Sequence, residues 1–290
     1  MQPIMKKILL SLLIFFSFSF DSFSQDDLMS LLEENTEEGT RDVEATFKGS
    51  RLINGHTVQV RKHKELEFLI SHRFGRLNSG GYEFFGLDGA SIRLGLEYGV
   101  LKFLTVGAGR SSFDKTYDGL LKFKLLKQTE GAKSTPISIV YFTSVAYKTL
   151  RDQEGFDDAT SKTSYTHQVL IARKFSPSFS LQLMPTLIHR NRVEEVNGDN
   201  DLYALGFGGR MKISNRVSLN LEYYYRANAP DNENLYNSLA IGFDIETGGH
   251  VFQLHFTNSR TMIVSGFITE TTGDFLGGDV HFGFNVSRVF

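Results

Sequence analysis

The sequence predicts an all-β fold: an antiparallel transmembrane β-barrel of about twelve strands, preceded by a short N-terminal segment. Three observations predict it. Twelve segments between residues 64 and 289 alternate apolar with polar or small residues at a period of two, the period of a strand with unlike faces. The connections between them alternate between short and long. Aromatic residues gather near both ends of the segments, as side chains at the two water interfaces of a bilayer do.

The N-terminus comes first. Lys6 and Lys7 precede the apolar run 8–20, and Ser22 and Ser24 are small residues placed for cleavage before Gln25. Residues 1–24 therefore read as a secretory signal peptide, since the apolar run is too short for a helical span of about 20 residues. Removing Lys6, Lys7 and Asp21 takes the formal charge from −2 to −3, a balance that does not suggest nucleic acid. With no cysteine, disulfides, thiolate metal sites and an N-terminal lipid-modified cysteine are excluded. The 26 Phe, 11 Tyr and 27 Gly against 5 Pro suit many strands joined by turns.

Residues 25–62 are expected to form an N-terminal periplasmic segment or a plug. Its first part is acidic, with Leu28, Leu31 and Leu32 on one face of a short helix; residues 46–60 carry the turn pair Asn54-Gly55 and suit a small hairpin before the barrel. The barrel is assigned to residues 63–290. Its segments fall at 64–74, 90–98, 102–110, 116–126, 137–147, 164–175, 179–189, 202–213, 217–227, 237–246, 250–257 and 280–289. Most are 8 to 12 residues long, near the roughly 9 to 11 that a tilted strand needs to cross hydrocarbon. Pro185 should mark a bulge or a local break in the ladder. Short turns on one side and long loops on the other are the layout of bacterial outer-membrane barrels, and an even strand count leaves both chain ends on the periplasmic side.

The faces follow from the alternation. Leu66, Phe68 and Ile70, Ile92, Leu94 and Leu96, and Phe252, Leu254 and Phe256 share the apolar face expected to meet lipid. The opposite face supplies the candidate lumen residues Arg93, Glu97, Lys122, Lys124, Arg210, Glu222, Arg226, Asp244, His255 and His281. These charges either line a narrow aqueous path or pair across the lumen and close it, and a barrel of this size favours a narrow or plugged lumen. Gly206 and Gly208 have no helix pattern after them, so they are read as making room inside a narrow barrel, not as a dinucleotide loop. An inward His255 and His281 pair lacks a carboxylate at ligand spacing, and no metal or other cofactor is expected. His255, Ser259 and Asp279 lack a nucleophile signature. The chain is therefore not expected to be an enzyme.

The last strand, with Phe282, Phe284 and Val286 on one face and Phe290 at the end, resembles the closing strand, or assembly signal, of bacterial outer-membrane barrels. Residues 47–100 and 248–290 are similar to the signature ends of an uncharacterised β-barrel family of Bacteroidetes. The stretch His255-Phe256-Thr257-Asn258-Ser259-Arg260 is the most specific part of that likeness. The resemblance implies a barrel in the outer membrane and transfers no catalytic or binding residue. The expected partners are outer-membrane lipid, the barrel-assembly machinery through the C-terminal strand, and other envelope proteins. The expected function is a narrow passive channel for small polar solutes or ions, or an envelope scaffold, with an outer-membrane enzyme acting on lipid as the alternative.

Overall fold

In the computed structural model, residues 39–150, 158–192, 199–229 and 234–290 are described; the stretch expected to be a signal peptide and the acidic stretch before residue 39 lie outside them. Twelve strands form one closed antiparallel barrel: β1 Leu66–Arg76, β2 Ser91–Leu101, β3 Leu104–Ser111, β4 Thr116–Leu126, β5 Ser138–Lys148, β6 Thr163–Ser176, β7 Phe179–Arg190, β8 Asp201–Lys212, β9 Val217–Arg226, β10 Leu239–Thr247, β11 His250–Thr257 and β12 His281–Val289. Each strand pairs with its neighbours in sequence, and β12 closes onto β1, where Val286 lies opposite Ile70. Closure leaves no unpaired strand edge, the condition for placing a sheet in hydrocarbon.

The faces are as the alternation predicts. On β2, Ser91, Arg93, Gly95 and Glu97 are buried, while Ile92, Leu94, Leu96 and Tyr98 are exposed on the outer surface. Around the long-loop rim the outer surface carries Tyr117 opposite Tyr147, then Tyr165, Tyr203 and Tyr225; around the short-turn rim it carries Tyr98, Phe103, Phe175 and Phe290. These rings can bury an apolar body while keeping an edge wet, which makes two interfacial belts. Phe282 and Phe284 also point outward, stacked on Phe74 and His72. Pro185 produces a break without a bulge: pairing of β7 with β6 runs from Thr186↔Gln168 to Leu183↔Ile171 with two pairs missing and the register unchanged, while its pairing with β8 continues through Pro185↔Leu205. The missing proline N–H is thus confined to one ladder.

Two expectations are corrected. Residues 46–61 are not a hairpin ahead of the barrel; they fold into its lumen as a thumb, the plug alternative for this stretch. The Asn54-Gly55 pair does form a tight hairpin, closed by Leu52 N–H to the Gly55 carbonyl at 2.9 Å and Thr57 N–H to the Ser50 carbonyl at 3.0 Å. Neither residue has a left-handed backbone, so Gly55 serves another purpose: a Cβ there would lie 2.2 Å from the Tyr224 hydroxyl. The second correction concerns the loop after β11. It does not stand wholly outside the barrel. Residues 261–269, including the short helix α1 Val264–Thr269, are buried, and α1 packs into the lumen with Phe267 edge-on to Tyr224 at 5.1 Å.

Candidate functional site: the closed lumen

The thumb enters at the short-turn rim. There Arg41–Asp42 pairs with Thr129–Glu130 in the β4–β5 connection, and Lys174 Nζ donates to the Glu44 carbonyl at 2.8 Å. The chain crosses the lumen and leaves by the same rim into β1, where Lys64 N–H donates to the Gly99 carbonyl at 2.8 Å.

Side chains from the wall meet the thumb's backbone groups. Glu222 accepts the N–H of Gly55 at 3.0 Å and of Ile53 at 3.2 Å. Gln182 accepts the N–H of Val58 at 2.9 Å and donates to the His56 carbonyl at 2.8 Å. Gln253 donates to the Leu52 carbonyl at 2.9 Å, Asn285 to that of Ile53 at 3.0 Å and Lys122 to that of Ser50 at 3.1 Å. Arg73 donates to the Asn54 side-chain carbonyl at 2.5 Å. A buried peptide group left without a partner costs about 1–3 kcal/mol, so the matching of wall to thumb group by group is what permits an irregular segment inside a barrel.

The wall has two unlike arcs. Along β1–β4 it is charged: Arg93 holds Asp118 in a two-pronged bond of 2.9 and 2.5 Å, and Lys122 lies 3.1 Å from Glu97. The thumb adds His56 and Arg61, within 3.7 Å of Glu97 and Glu67 respectively. From β5 to β9 an apolar patch lies among polar residues such as Gln168, Gln182 and Glu222, with Val140, Phe142, Leu170, Met184, Ile188, Leu202 and Tyr224 buried against Phe47, Leu52 and Val58 of the thumb and Val264, Phe267 and Ile268 from α1. Leu52 occupies the dimple over Gly208, where a Cβ would lie 2.4 Å from its methyl.

Of the residues singled out in the sequence, Arg93, Glu97, Lys122, Arg210, Glu222, Asp244, His255 and His281 are buried on the inner face. Arg210 approaches Glu246 at 3.4 Å, and Asp244 accepts from Gln253 at 2.8 Å. Two candidates lie elsewhere. Lys124 sits half-buried at the short-turn rim beside a register shift in β4, and Arg226 lies at the opposite rim with its guanidinium on the Leu235 carbonyl at 2.8 Å. His255 is fully buried and neither ring nitrogen has a hydrogen-bond partner; His281 Nδ1 bonds to the Phe74 carbonyl at 2.9 Å. Among the described residues no cluster of three metal-ligating side chains occurs. His255, Ser259 and Asp279 do not bond one another: Ser259 bonds to Thr261 and Asp279 to Asn78. Asp118, which completes the buried pair with Arg93, was readable from its place on the Lys122 face of β4. Gln182, Gln253 and Asn285 carried no signal beyond being polar on the inner face.

At the long-loop rim the lumen opens into a vestibule of about 840 Å³ whose lining includes residues 261–263, 265, 266 and 269, bringing in part of α1. Beneath it a void of about 10 Å³ lies beside Arg51, His56 and Phe142. The stretch 255–260 joins these parts. Thr257 accepts from Asn54 of the thumb tip at 3.2 Å, and Asn258 ties strand β10 and the inward loop together through the Leu239 N–H at 2.8 Å and the Gly273 carbonyl at 2.9 Å.

Among solved structures, a NanC porin is similar at 8% identity, covering 77% of this chain and 98% of that one, with a TM-score of 0.50. The KdgM porin is similar at 8% identity over 78% and 99% with a TM-score of 0.45. An outer membrane channel from Pseudomonas putida F1 is similar at 11% identity over 80% and 97% with a TM-score of 0.43. At such identity the first likeness speaks for the fold alone. No curated protein matches the sequence. A family model matches residues 47–290, from the first apolar residue of the thumb to the last residue of the chain. With its closed sheet, outward apolar surface and built-in thumb, the chain belongs to the family described as the membrane bound beta barrel domain (DUF5777).

Proposed function

We propose that the protein is a passive outer-membrane channel for small polar solutes or ions, with its short turns toward the periplasm, its long loops outside, and its lumen shut in this state by the thumb and the inward loop that carries α1. The observation that carries this reading is how the thumb is held. Among the described residues it makes no strand ladder with the wall and is bound through wall side chains. Such a segment can leave without breaking a barrel strand pair, and the wall it would uncover along β1–β4 is charged, as an aqueous path requires. The outward aromatic belts and the membrane-bound family support the location.

Planar-bilayer conductance tests the reading. The mature chain should give rare current steps, and a form lacking both residues 46–61 and the inward residues 261–269 should give frequent ones, with the barrel's folding checked by its heat-modifiable mobility in detergent gels. A folded barrel that stays silent with both segments removed overturns the channel reading.

A further inference from the structure

The thumb carries a histidine into the closed lumen. His56 follows the hairpin turn and is fully buried, its ring tilted against Phe142 of β5 at 4.2 Å, while Gln182 of β7 donates to its carbonyl. Its Nδ1 has no hydrogen-bond partner and stands 3.7 Å from a Glu97 oxygen on β2, beyond bonding distance.

The groups around the ring are set against a proton. Glu97 is already engaged by Lys122 of β4 at 3.1 Å, and Asp118 of β4 is held by Arg93 of β2. Arg51 of the thumb borders the same small void as the ring; the inward loop brings Ile263 and Val264 to that void and β5 brings Ser144, none of them titratable at ordinary pH. A protonated ring would therefore meet the charges of Arg51, Lys122 and Arg93, with both nearby carboxylates taken. A buried cation without a partner of its own is strongly unfavourable. Withdrawn through the short-turn rim into water, the same ring takes up a proton below about pH 6.5.

We propose that His56 is an acid-operated latch: uptake of a proton by its ring unseats the thumb from the lumen. The consequence for conduction rests on the channel reading; the release itself does not. The seated thumb binds fewer protons than the released one, so its hold is full above about pH 6.5 and weakens as the pH falls below it. One proton taken up with that free value raises the released fraction about ten-fold between about pH 7.5 and about pH 5.5.

The test is hydrogen exchange of the full mature chain in detergent, corrected for intrinsic rates. The Ile53, Gly55 and Val58 amides report seating, because Glu222 and Gln182 of the wall hold them. Between those pH values their protection should fall about ten-fold more in the wild-type chain than in His56→Gln; Glu222 titrates in both chains alike, so the comparison reads His56. His63→Gln, exposed at the short-turn rim, should behave as wild type. Where His56→Gln fails to seat the thumb at the higher pH, His56→Phe keeps an aromatic ring against Phe142 and takes its place. An equal fall in the wild type and the variant, or no fall in the wild type, overturns the proposal. Bilayers silent for the form lacking both inward segments, with exchange of the full chain as expected, sink the channel reading and keep the latch.

Discussion

The two arcs of the lumen wall solve the same problem with opposite chemistry. Along β1–β4 the thumb meets Arg93, Asp118, Glu97 and Lys122, whose charges are buried and paired; from β5 to β9 it meets Phe142, Leu170, Met184 and Tyr224, which bury it as a core would. A buried ion pair contributes little net stability but becomes very costly when one member is removed, whereas apolar packing loses stability in proportion to the volume deleted. The charged arc therefore supplies specificity of seating, and the apolar arc supplies most of the holding force.

The sharpest way to break this contrast is in the charged arc. Arg93→Leu strands Asp118 and should cost about 3–5 kcal/mol, read as a lower urea midpoint by tyrosine fluorescence in detergent micelles. Adding Asp118→Leu should restore most of the loss. A double variant no better than the single one would mean that the pair is a source of stability in its own right.

The apolar arc should respond more gently. Leu52→Ala removes the methyls over Gly208, beside the flexible Met184 side chain that can fill part of the space. The expected cost is about 2–3 kcal/mol, with faster amide exchange confined to residues 53–58. Accelerated exchange in the strands as well would show that thumb and wall unfold as one unit.

The smallest effect lies outside both arcs, where Asn78 donates to Asp279 and Arg76 lies 3.3 Å from it, joining the first and last long loops. The Asn78 amide, with help from the Asp274 N–H and the charges of Arg76 and His281, holds the Asp279 carboxyl below its ordinary range. The stabilisation is therefore present above about pH 4, the unfolded value of an Asp, and is lost as pH falls through the lowered folded value. Protection of residues 77–86 from exchange should fade only in that acid window, and Asp279→Asn should abolish the pH dependence.

The strand count, the faces and the aromatic belts were legible because a period of two leaves its mark on every segment, from Ile92-Leu94-Leu96 to Phe252-Leu254-Phe256. What the lumen contains was not legible in the same way. Asn54-Gly55 announces a turn but carries no sign of its surroundings, and the glycine is required by the nearness of Tyr224, a residue far away in sequence. The inward loop did leave a clue: Met262-Ile263-Val264 and Phe267-Ile268 are too apolar for a loop wholly in water. Lys124 and Arg226 share the parity of lumen residues yet sit at the rims, because alternation gives the face and not the depth.

The hydrogen bonds between Leu66 and Phe290 zip the barrel's first residue to the chain's last, and the thumb lies just upstream of that seam, leaving by the mouth through which it came. It is a bight pushed into a ring, never a thread passed through one. Withdrawing it ties and unties nothing, so the ring stays sealed to the surrounding oil throughout.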